Sequence, residues 1–141
     1  MLSEGYILSF HNPENMSEIR QDLLYTETHM WVKVEDNRAR IGFTDFKQNE
    51  LGDIMFVLLP EPDKEIKKGE NMGETECIKT VEPFSSPISG KVLSVNPAID
   101  ENPGVINRSP YDDGWFLEML ITEPTELDSL LSPEDYSSLS A

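Results

Sequence analysis

The sequence predicts a mainly β domain, folded as a sandwich or a flattened barrel with a few short helices. About seven short runs either alternate apolar and polar residues or are strongly apolar, and turn-forming residues separate them. Helical spacing is confined to short segments, two of which begin beside a proline. In a chain of 141 residues, this pattern indicates one domain built from two packed layers of strands.

The first 22 residues are predicted to be an extension that is weakly structured or forms a short helix. Residues 1–10 have some apolar content, and residues 11–15 are typical of a loop. In residues 16–24 the apolar side chains nearly share one helical face. The domain itself is therefore assigned to residues 23–141.

From Tyr25 onward the pattern becomes that of β-structure. Residues 31–35 and 39–43 alternate apolar and polar side chains on either side of the turn pair Asp36-Asn37, which predicts a hairpin.

A short helix is predicted next, over residues 46–51. Thr44 is its expected N-cap, and Gly52 is expected to leave it in a left-handed conformation. Residues 53–59 follow as a strongly apolar strand, which Pro60 ends.

The second half of the chain continues the β pattern. Residues 67–70 form a predicted turn before the strand that leads to Lys79, and residues 88–95 are the predicted return strand. Residues 96–110 contain three prolines and are expected to form a long loop, before a last strong strand at 115–121.

Two short helices are predicted at the C-terminal end, over residues 124–131 and 133–139. Each has a proline near its start, where the missing N–H costs little. Ser132 is the expected N-cap of the second helix.

The charge balance and the cysteine count exclude several kinds of protein. With 27 acidic and 11 basic residues, the formal net charge is 11 − 27 = −16. This charge disfavours nucleic acid and anionic membrane, and it suits docking on basic clefts of partner enzymes. One cysteine allows no internal disulfide and no cysteine-based metal site. Since neither a secretory signal nor an apolar run of about 20 residues is present, the expected location is the cytoplasm.

A single lysine, Lys79, is flanked by acidic residues and lies between two short strand-like runs. A tight hairpin at this point would direct the ammonium group into solvent, where a modifying enzyme can attach a cofactor. The carboxylates of Glu74, Glu76 and Glu82 would give that enzyme charges to recognise. Taken alone, a surface lysine between strands is more often an ordinary turn charge.

Residues 73–92 resemble the lipoyl-lysine hairpin of the glycine cleavage H protein, whose pattern is close to Glu-Ser-Val-Lys-Ala followed by Ser-Pro-x-Ser-Gly. Further segments resemble the same family in order and spacing, over residues 23–139. They are residues 25–32, 41–45, 51–60, 66–70, 102–103, 106–107, 109–115, 126–131 and Tyr136. The resemblance implies a lipoyl/biotinyl-type hybrid β-sandwich with short helices and a helical C-terminal segment.

The same resemblance implies a carrier rather than an enzyme, with lipoic acid joined by an amide to Lys79. A lipoate ligase or an octanoyltransferase would attach the cofactor to a monomeric protein. The arm would then carry an aminomethyl group between glycine decarboxylase, an aminomethyltransferase and dihydrolipoamide dehydrogenase. No Ser-His-Asp arrangement, glycine-rich phosphate loop or catalytic carboxylate pair stands out in the sequence, which suits a carrier.

Four residues are expected to line the cleft that shelters the loaded arm, namely Thr28, His29, Met30 and Pro83. Members of the family typically have glutamate at the position of Met30 and aspartate at that of Pro83, and such acids favour a cationic aminomethyl group. Glu82 lies one position early and could partly substitute for the missing acid, although strand alternation would turn it to the other face. These departures leave open a sulfur-oxidation role beside heterodisulfide-reductase-like enzymes, and also an unmodified scaffold with the same fold.

Two further side chains have both a chemical and a structural interpretation. Cys77 could exchange with the lipoyl disulfide, but no basic neighbour in the sequence activates its thiol, so a small strand residue is the favoured interpretation. His29 could be a general base, but it precedes the core-like Trp31. A hydrogen-bonded structural histidine is favoured there.

Overall fold

The computed structural model describes residues 17–139 and the backbone of residues 9–11 and 140. Its strands form a six-stranded antiparallel sheet, a three-stranded sheet and a small two-stranded sheet. The strands are β1 Ser9–His11, β2 Glu18–Arg20, β3 Leu24–Tyr25, β4 Met30–Glu35, β5 Arg38–Phe43, β6 Ile54–Leu58, β7 Glu65–Ile66, β8 Asn71–Cys77, β9 Val81–Ser85, β10 Gly90–Val95 and β11 Leu117–Ile121. The predicted mainly β class is therefore confirmed.

The six-stranded sheet has the order β3-β4-β5-β11-β10-β7. Strands β4 and β5 form the predicted hairpin, whose last pair is Glu35 with Arg38. Asp36 adopts a φ of 57° in the turn, a conformation that aspartate and asparagine tolerate better than most residues.

The three-stranded sheet, in the order β6-β8-β9, contains the lysine hairpin. The predicted return strand was wrong, because β9 (Val81–Ser85) pairs with β8, whereas β10 (Gly90–Val95) belongs to the other sheet. Strand β9 contains Pro83 and lies at the sheet edge, where a missing N–H breaks no ladder. At Gly73 an added Cβ would collide with the carbonyl oxygen of Leu58, so only glycine fits where β6 and β8 approach.

The main core lies between the two larger sheets. Its buried members come from both layers, including Ile41 and Val92 from the six-stranded sheet and Val57 and Met72 from the three-stranded sheet. Because every strand places alternate side chains on its inner face, short strands are enough to fill this core.

Short helices connect the strands. Helix α1 (Asp45–Leu51) has the predicted cap, since Thr44 accepts a hydrogen bond from the Lys47 amide, and Gly52 leaves the helix with φ 75°. The loop predicted for residues 96–110 was wrong in part, because it contains α2 (Pro97–Glu101) and α3 (Val105–Arg108). Pro97 begins α2 after the Asn96 cap instead of preventing a helix.

The C-terminal segment is helical, as expected. A 3-10 helix, Pro124–Ser129, precedes α4, Pro133–Ser140. Ser132 accepts a hydrogen bond from the Asp135 amide and so caps α4 as predicted. Within residues 17–140, no helix is both long and apolar enough to span a membrane.

The short helix considered for residues 16–24 is wrong over its described part. Residues 18–20 form β2, which pairs with β1, and Met16 lies outside the described residues. The side chain of Ile19 is buried in a second cluster that joins both ends of the chain. We call this the aromatic cluster, and its members are Ile19, Leu23, Tyr25, Trp31, Tyr111 and Tyr136.

Candidate functional site

Lys79 lies at the tip of the β8–β9 hairpin. The last ladder pair is Glu76 with Val81, and a hydrogen bond of 2.9 Å from the Cys77 amide to the Thr80 carbonyl oxygen closes the tip. Ile78 and Lys79 therefore protrude between two fixed positions, and both are exposed. Over residues 17–139, no carboxylate pairs with the Lys79 ammonium group.

Cys77 anchors the tip to the protein. Its side chain is 5% exposed and belongs to the main core. Its Sγ lies 3.3 Å from the Thr80 carbonyl oxygen, to which the thiol donates. A buried, hydrogen-bonded thiol holds the base of the hairpin and does not face a cofactor at its tip, which agrees with the structural interpretation of this residue.

The acidic residues around Lys79 lie on two different faces. Glu74 and Glu76 are exposed on the outer face of the sheet. Glu82 pairs in register with Thr75, which is buried, and therefore turns to the inner face. Alternation does separate Glu82 from Pro83, as predicted, but the expectation that this turns Glu82 away from the cleft was wrong.

A cleft of about 220 Å³ opens beside this inner face. Its floor and walls are Thr28, Met30, Phe43, Lys47, Thr75, Glu82, Pro83, Phe84 and Ser85. The Lys47 Nζ lies 3.1 Å from a Glu82 carboxylate oxygen and 3.3 Å from one of Glu50. The Lys47 side chain is only 15% exposed, so this charge is held in the cleft wall and does not extend into solvent.

The structure brings three of the four predicted cleft residues together. Thr28 and Met30 line the cleft, and Pro83 borders it from strand β9, where register places it beside Glu74 on the outer face. His29 turns away from it, with its Nδ1 2.7 Å from the Tyr136 hydroxyl and its ring 4.5 Å from that of Phe46. His29 has φ 68°, a left-handed conformation that costs energy in most non-glycine residues.

Burial lowers the pKa of His29 below its ordinary 6.5, and the Lys47 charge lowers it further while Glu50 opposes the shift. The neutral imidazole is therefore favoured, bonded to Tyr136. This partner confirms the structural interpretation of His29 and leaves the general-base interpretation without support.

The geometry is that of a hairpin whose tip presents one exposed lysine, unpaired among the described residues, near a cleft. The profile of the family described as Glycine cleavage H-protein matches residues 23–141. The chain belongs to this family. A glycine cleavage system H protein of Listeria innocua is 48% identical over 116 residues, which cover 82% of this chain and 93% of that protein. One of Staphylococcus epidermidis is 42% identical over 121 residues, 86% of this chain and 96% of the relative.

A solved structure supports the same assignment. The crystal structure of a glycine cleavage system H protein from Mycobacterium marinum superposes with a TM-score of 0.76 at 32% identity, covering 85% of this chain and 97% of that chain. The predicted lipoyl-type fold is thus confirmed. As a member of this family, the protein is a lipoyl carrier and not itself a catalyst. These relatives favour the glycine cleavage alternative, and none of them supports the sulfur-oxidation or scaffold alternatives.

Lys47 is the charged cleft residue that the sequence did not reveal. It lies in α1, and helical periodicity alone does not indicate which neighbouring strand its side chain meets. Its proximity to Glu82, 35 positions later in the chain, becomes visible only when α1 is packed beside the hairpin.

Proposed function

We propose that Lys79 carries lipoic acid in an amide linkage and that the protein shuttles an aminomethyl group between the enzymes of glycine cleavage. The observation that supports this most is that Lys79, at the tip of an anchored hairpin, is exposed and has no ion-pair partner among the described residues in a chain of the H-protein family. When bound, lipoate supplies a pair of sulfurs that form a disulfide or carry a one-carbon amine.

The residues around Lys79 fit such a group. The Nζ projects from a tip whose two free residues are exposed, so an acyl chain meets no steric barrier there. The Cys77 anchor and the Cys77–Thr80 hydrogen bond hold the attachment point. A tether on a fixed base keeps its reactive end at high effective concentration near docked enzymes.

We propose that Glu74 and Glu76 are recognised by the enzyme that attaches the cofactor. Both carboxylates are exposed on strand β8 near Lys79. Glu82 was also a candidate for this role. Because its carboxylate is paired with Lys47 on the inner face, its contribution to this recognition is expected to be small.

We propose that the cleft shelters the arm and that Glu82 replaces the acids that Met30 and Pro83 do not provide. The formal charges of Lys47, Glu50 and Glu82 sum to 1 − 1 − 1 = −1, which an arriving ammonium group would neutralise. Glu50 lies within reach of Lys47, so Lys47 can shift toward Glu50 and leave Glu82 free to accept a hydrogen bond.

The proposed partners follow from the transfer of an aminomethyl group between enzymes. They are glycine decarboxylase, an aminomethyltransferase and dihydrolipoamide dehydrogenase, with a lipoate ligase or an octanoyltransferase for the attachment step. We propose a monomer in the cytoplasm. The net charge of −16 would favour encounter with basic entrances on these enzymes.

Substitution of Lys79 tests the proposal against a scaffold role. Lys79→Arg keeps the charge but removes the amine that forms the amide, so lipoylation and transfer activity in a reconstituted glycine cleavage assay should be lost. Lys91→Arg is the matched control, because Lys91 is a lysine in strand β10 of the other sheet. Activity retained by Lys79→Arg would show that the protein acts without the cofactor.

The cleft is tested by the lifetime of the aminomethyl adduct on the lipoylated protein. Glu82→Gln should shorten that lifetime, and Glu74→Gln, on the outer face, should not. Met30→Glu should lengthen it by adding a carboxylate to the cleft. Equal lifetimes in all of these proteins would contradict the proposed role of the cleft.

A further inference from the structure

The outer face of the three-stranded sheet exposes large apolar side chains. Met55, Phe56 and Leu58 of β6 are 61%, 49% and 50% exposed, and Ile78 and Val81 beside Lys79 are exposed as well. Strand β6 is also an edge strand. An apolar edge strand promotes aggregation unless it is covered or used, so this face is a candidate contact surface.

Strand register arranges these side chains in rows across the sheet. In one row Phe56, Glu76 and Val81 are direct neighbours, because Phe56 and Val81 both pair with Glu76. The adjacent row consists of Leu58, Glu74 and Pro83. Each row places a carboxylate between two apolar side chains, and we call these six residues the outer rows.

The carboxylates of the outer rows are available to a partner. Glu74 and Glu76 are exposed, and neither makes an ion pair or a side-chain hydrogen bond to any residue between 17 and 139. An apolar surface with two unpaired acids is complementary to an apolar surface that carries lysine or arginine side chains.

We propose that the outer rows are the docking surface for the enzyme that acylates Lys79. This inference rests on the proposed attachment of lipoate at that residue. The new element is the apolar contribution of Phe56 and Leu58, which lie on a different strand from Lys79 and its acidic neighbours.

The short distance between the outer rows and Lys79 favours the acylating enzyme over the enzymes that act on the completed lipoyl arm. An acylating enzyme must bring its reacting carbon to the Lys79 Nζ, so it must cover the surface around the hairpin tip. A standard interface buries about 800 Å² on each partner, a disc with a radius of about 16 Å. Glu76 lies three residues from Lys79, about 10 Å along a strand, and Glu74 lies five residues away, about 17 Å, at the rim of such a disc. Enzymes that act on the sulfurs instead approach the far end of the arm.

The test compares initial rates of Lys79 acylation, measured by intact mass. The acylating enzyme is the one that modifies the wild-type chain, either lipoate ligase with lipoate and ATP or octanoyltransferase with octanoyl carrier protein. Phe56→Thr with Leu58→Thr keeps residues that suit a strand and should lower kcat/KM about tenfold, as expected for two interface anchors. Leu93→Thr is the control, because Leu93 is 39% exposed on β10 of the other sheet, and its rate should stay within about twofold.

A second measurement does not depend on these variants. The wild-type rate should fall as salt is added, and this dependence should weaken in Glu74→Gln with Glu76→Gln, because screened charges contribute less to encounter. An unchanged rate in the Phe56 and Leu58 double variant, with its fold verified by circular dichroism, would overturn the proposal.

Two other results would assign the surface to another occupant. One is normal acylation followed by impaired reaction of the loaded variant with glycine decarboxylase. The other is a dimer of the wild-type chain in sedimentation that the double variant loses. If neither acylating enzyme modifies wild-type Lys79, the proposed function itself fails, and the docking proposal fails with it.

Discussion

The hairpin sheet (β6, β8 and β9) and the aromatic cluster lie in the same domain but differ in whether their polar groups are exposed or hydrogen-bonded. On the hairpin sheet, Lys79, Glu74 and Glu76 are exposed and unpaired within the part of the chain that the structure describes. In the aromatic cluster, the hydroxyls of Tyr25, Tyr111 and Tyr136 are all hydrogen-bonded. One region presents groups to other molecules, whereas the other uses them to hold the chain together.

The bonds of the aromatic cluster join distant parts of the sequence. Tyr136 stacks on Tyr25 with 4.5 Å between ring centroids, and its hydroxyl lies 2.9 Å from the Thr44 hydroxyl and 2.7 Å from His29. Burial raises the pKa of Tyr136 to about 12, an effect that the hydrogen bond with Thr44 opposes, so the phenol stays protonated. Helix α4 is thereby fixed to the start of α1 and to the turn before β4.

The cleft is held in place by the aromatic cluster, while the hairpin beside it stays accessible. Thr28 and Met30, which line the cleft, flank His29, which is bonded to the aromatic cluster. The far wall of the cleft comes from β9. The cleft thus lies between the anchored region and the presenting region.

Removal of Tyr136 is the largest predicted perturbation of stability. Tyr136→Ala should lower the free energy of unfolding by about 3–5 kcal/mol, because it deletes a buried ring, leaves the His29 Nδ1 without its partner and removes one of the two hydrogen bonds of the Thr44 hydroxyl. Glu76→Ala on the hairpin sheet should change it by less than about 0.5 kcal/mol. Denaturant titration measures both values, and similar losses would contradict the division into two regions.

The accessibility of Cys77 sharpens the boundary between the regions. Because its thiol is buried and bonded to Thr80, an aromatic disulfide reagent should react with it at least about a hundredfold more slowly in the native protein than in urea. The time course of absorbance gives this ratio. If native Cys77 reacts as fast as the unfolded thiol, the base of the hairpin is not anchored in the core.

The pH dependence of stability tests the contact between His29 and the anchored region. Its pKa is lowered by burial from 6.5, so the unfolded chain binds a proton more readily than the native protein. The free energy of unfolding should therefore fall as the pH decreases below 6.5 toward the lowered native value. The slope should weaken in His29→Gln, measured by urea titration at several pH values, and an unchanged slope would contradict the assignment to His29.

The smallest effect is expected for an ion pair at the edge of the aromatic cluster. Arg20 donates two hydrogen bonds to Asp112, of 2.8 and 2.6 Å, and they lower the pKa of Asp112 below 3.8. The stabilisation is present above pH 3.8 and is lost as the pH falls through the lowered value. Since the Asp112 side chain is 55% exposed, Asp112→Asn should cost less than about 1 kcal/mol at pH 7. A larger loss in thermal unfolding would show that the pair is shielded from solvent.

Local signals predicted the parts of the fold that depend on neighbouring residues. The β4–β5 hairpin follows from alternation and a turn pair, and the start of α1 follows from Thr44. The exposed position of Lys79 followed from the short runs on either side of it. In each case, the residues that decide the structure lie within about ten positions of one another.

Features that depend on pairing between distant segments could not be predicted. In the described part of the chain three strands follow Lys79, and only β9, which contains a proline, returns along β8. Helical spacing in residues 16–24 did not reveal that Ile19 packs on aromatic residues from the far end of the chain. The Lys47–Glu82 pair needed both the position of α1 and the register of β9.

The most direct test of the central claim is the intact mass and peptide map of the protein purified without reductant from a lipoylating host. We expect the mass of one lipoyl group, located on the peptide that contains Lys79. Additional mass on its sulfurs would identify the cargo. An unmodified Lys79, in cells whose other lipoyl proteins are fully modified, would contradict the carrier account.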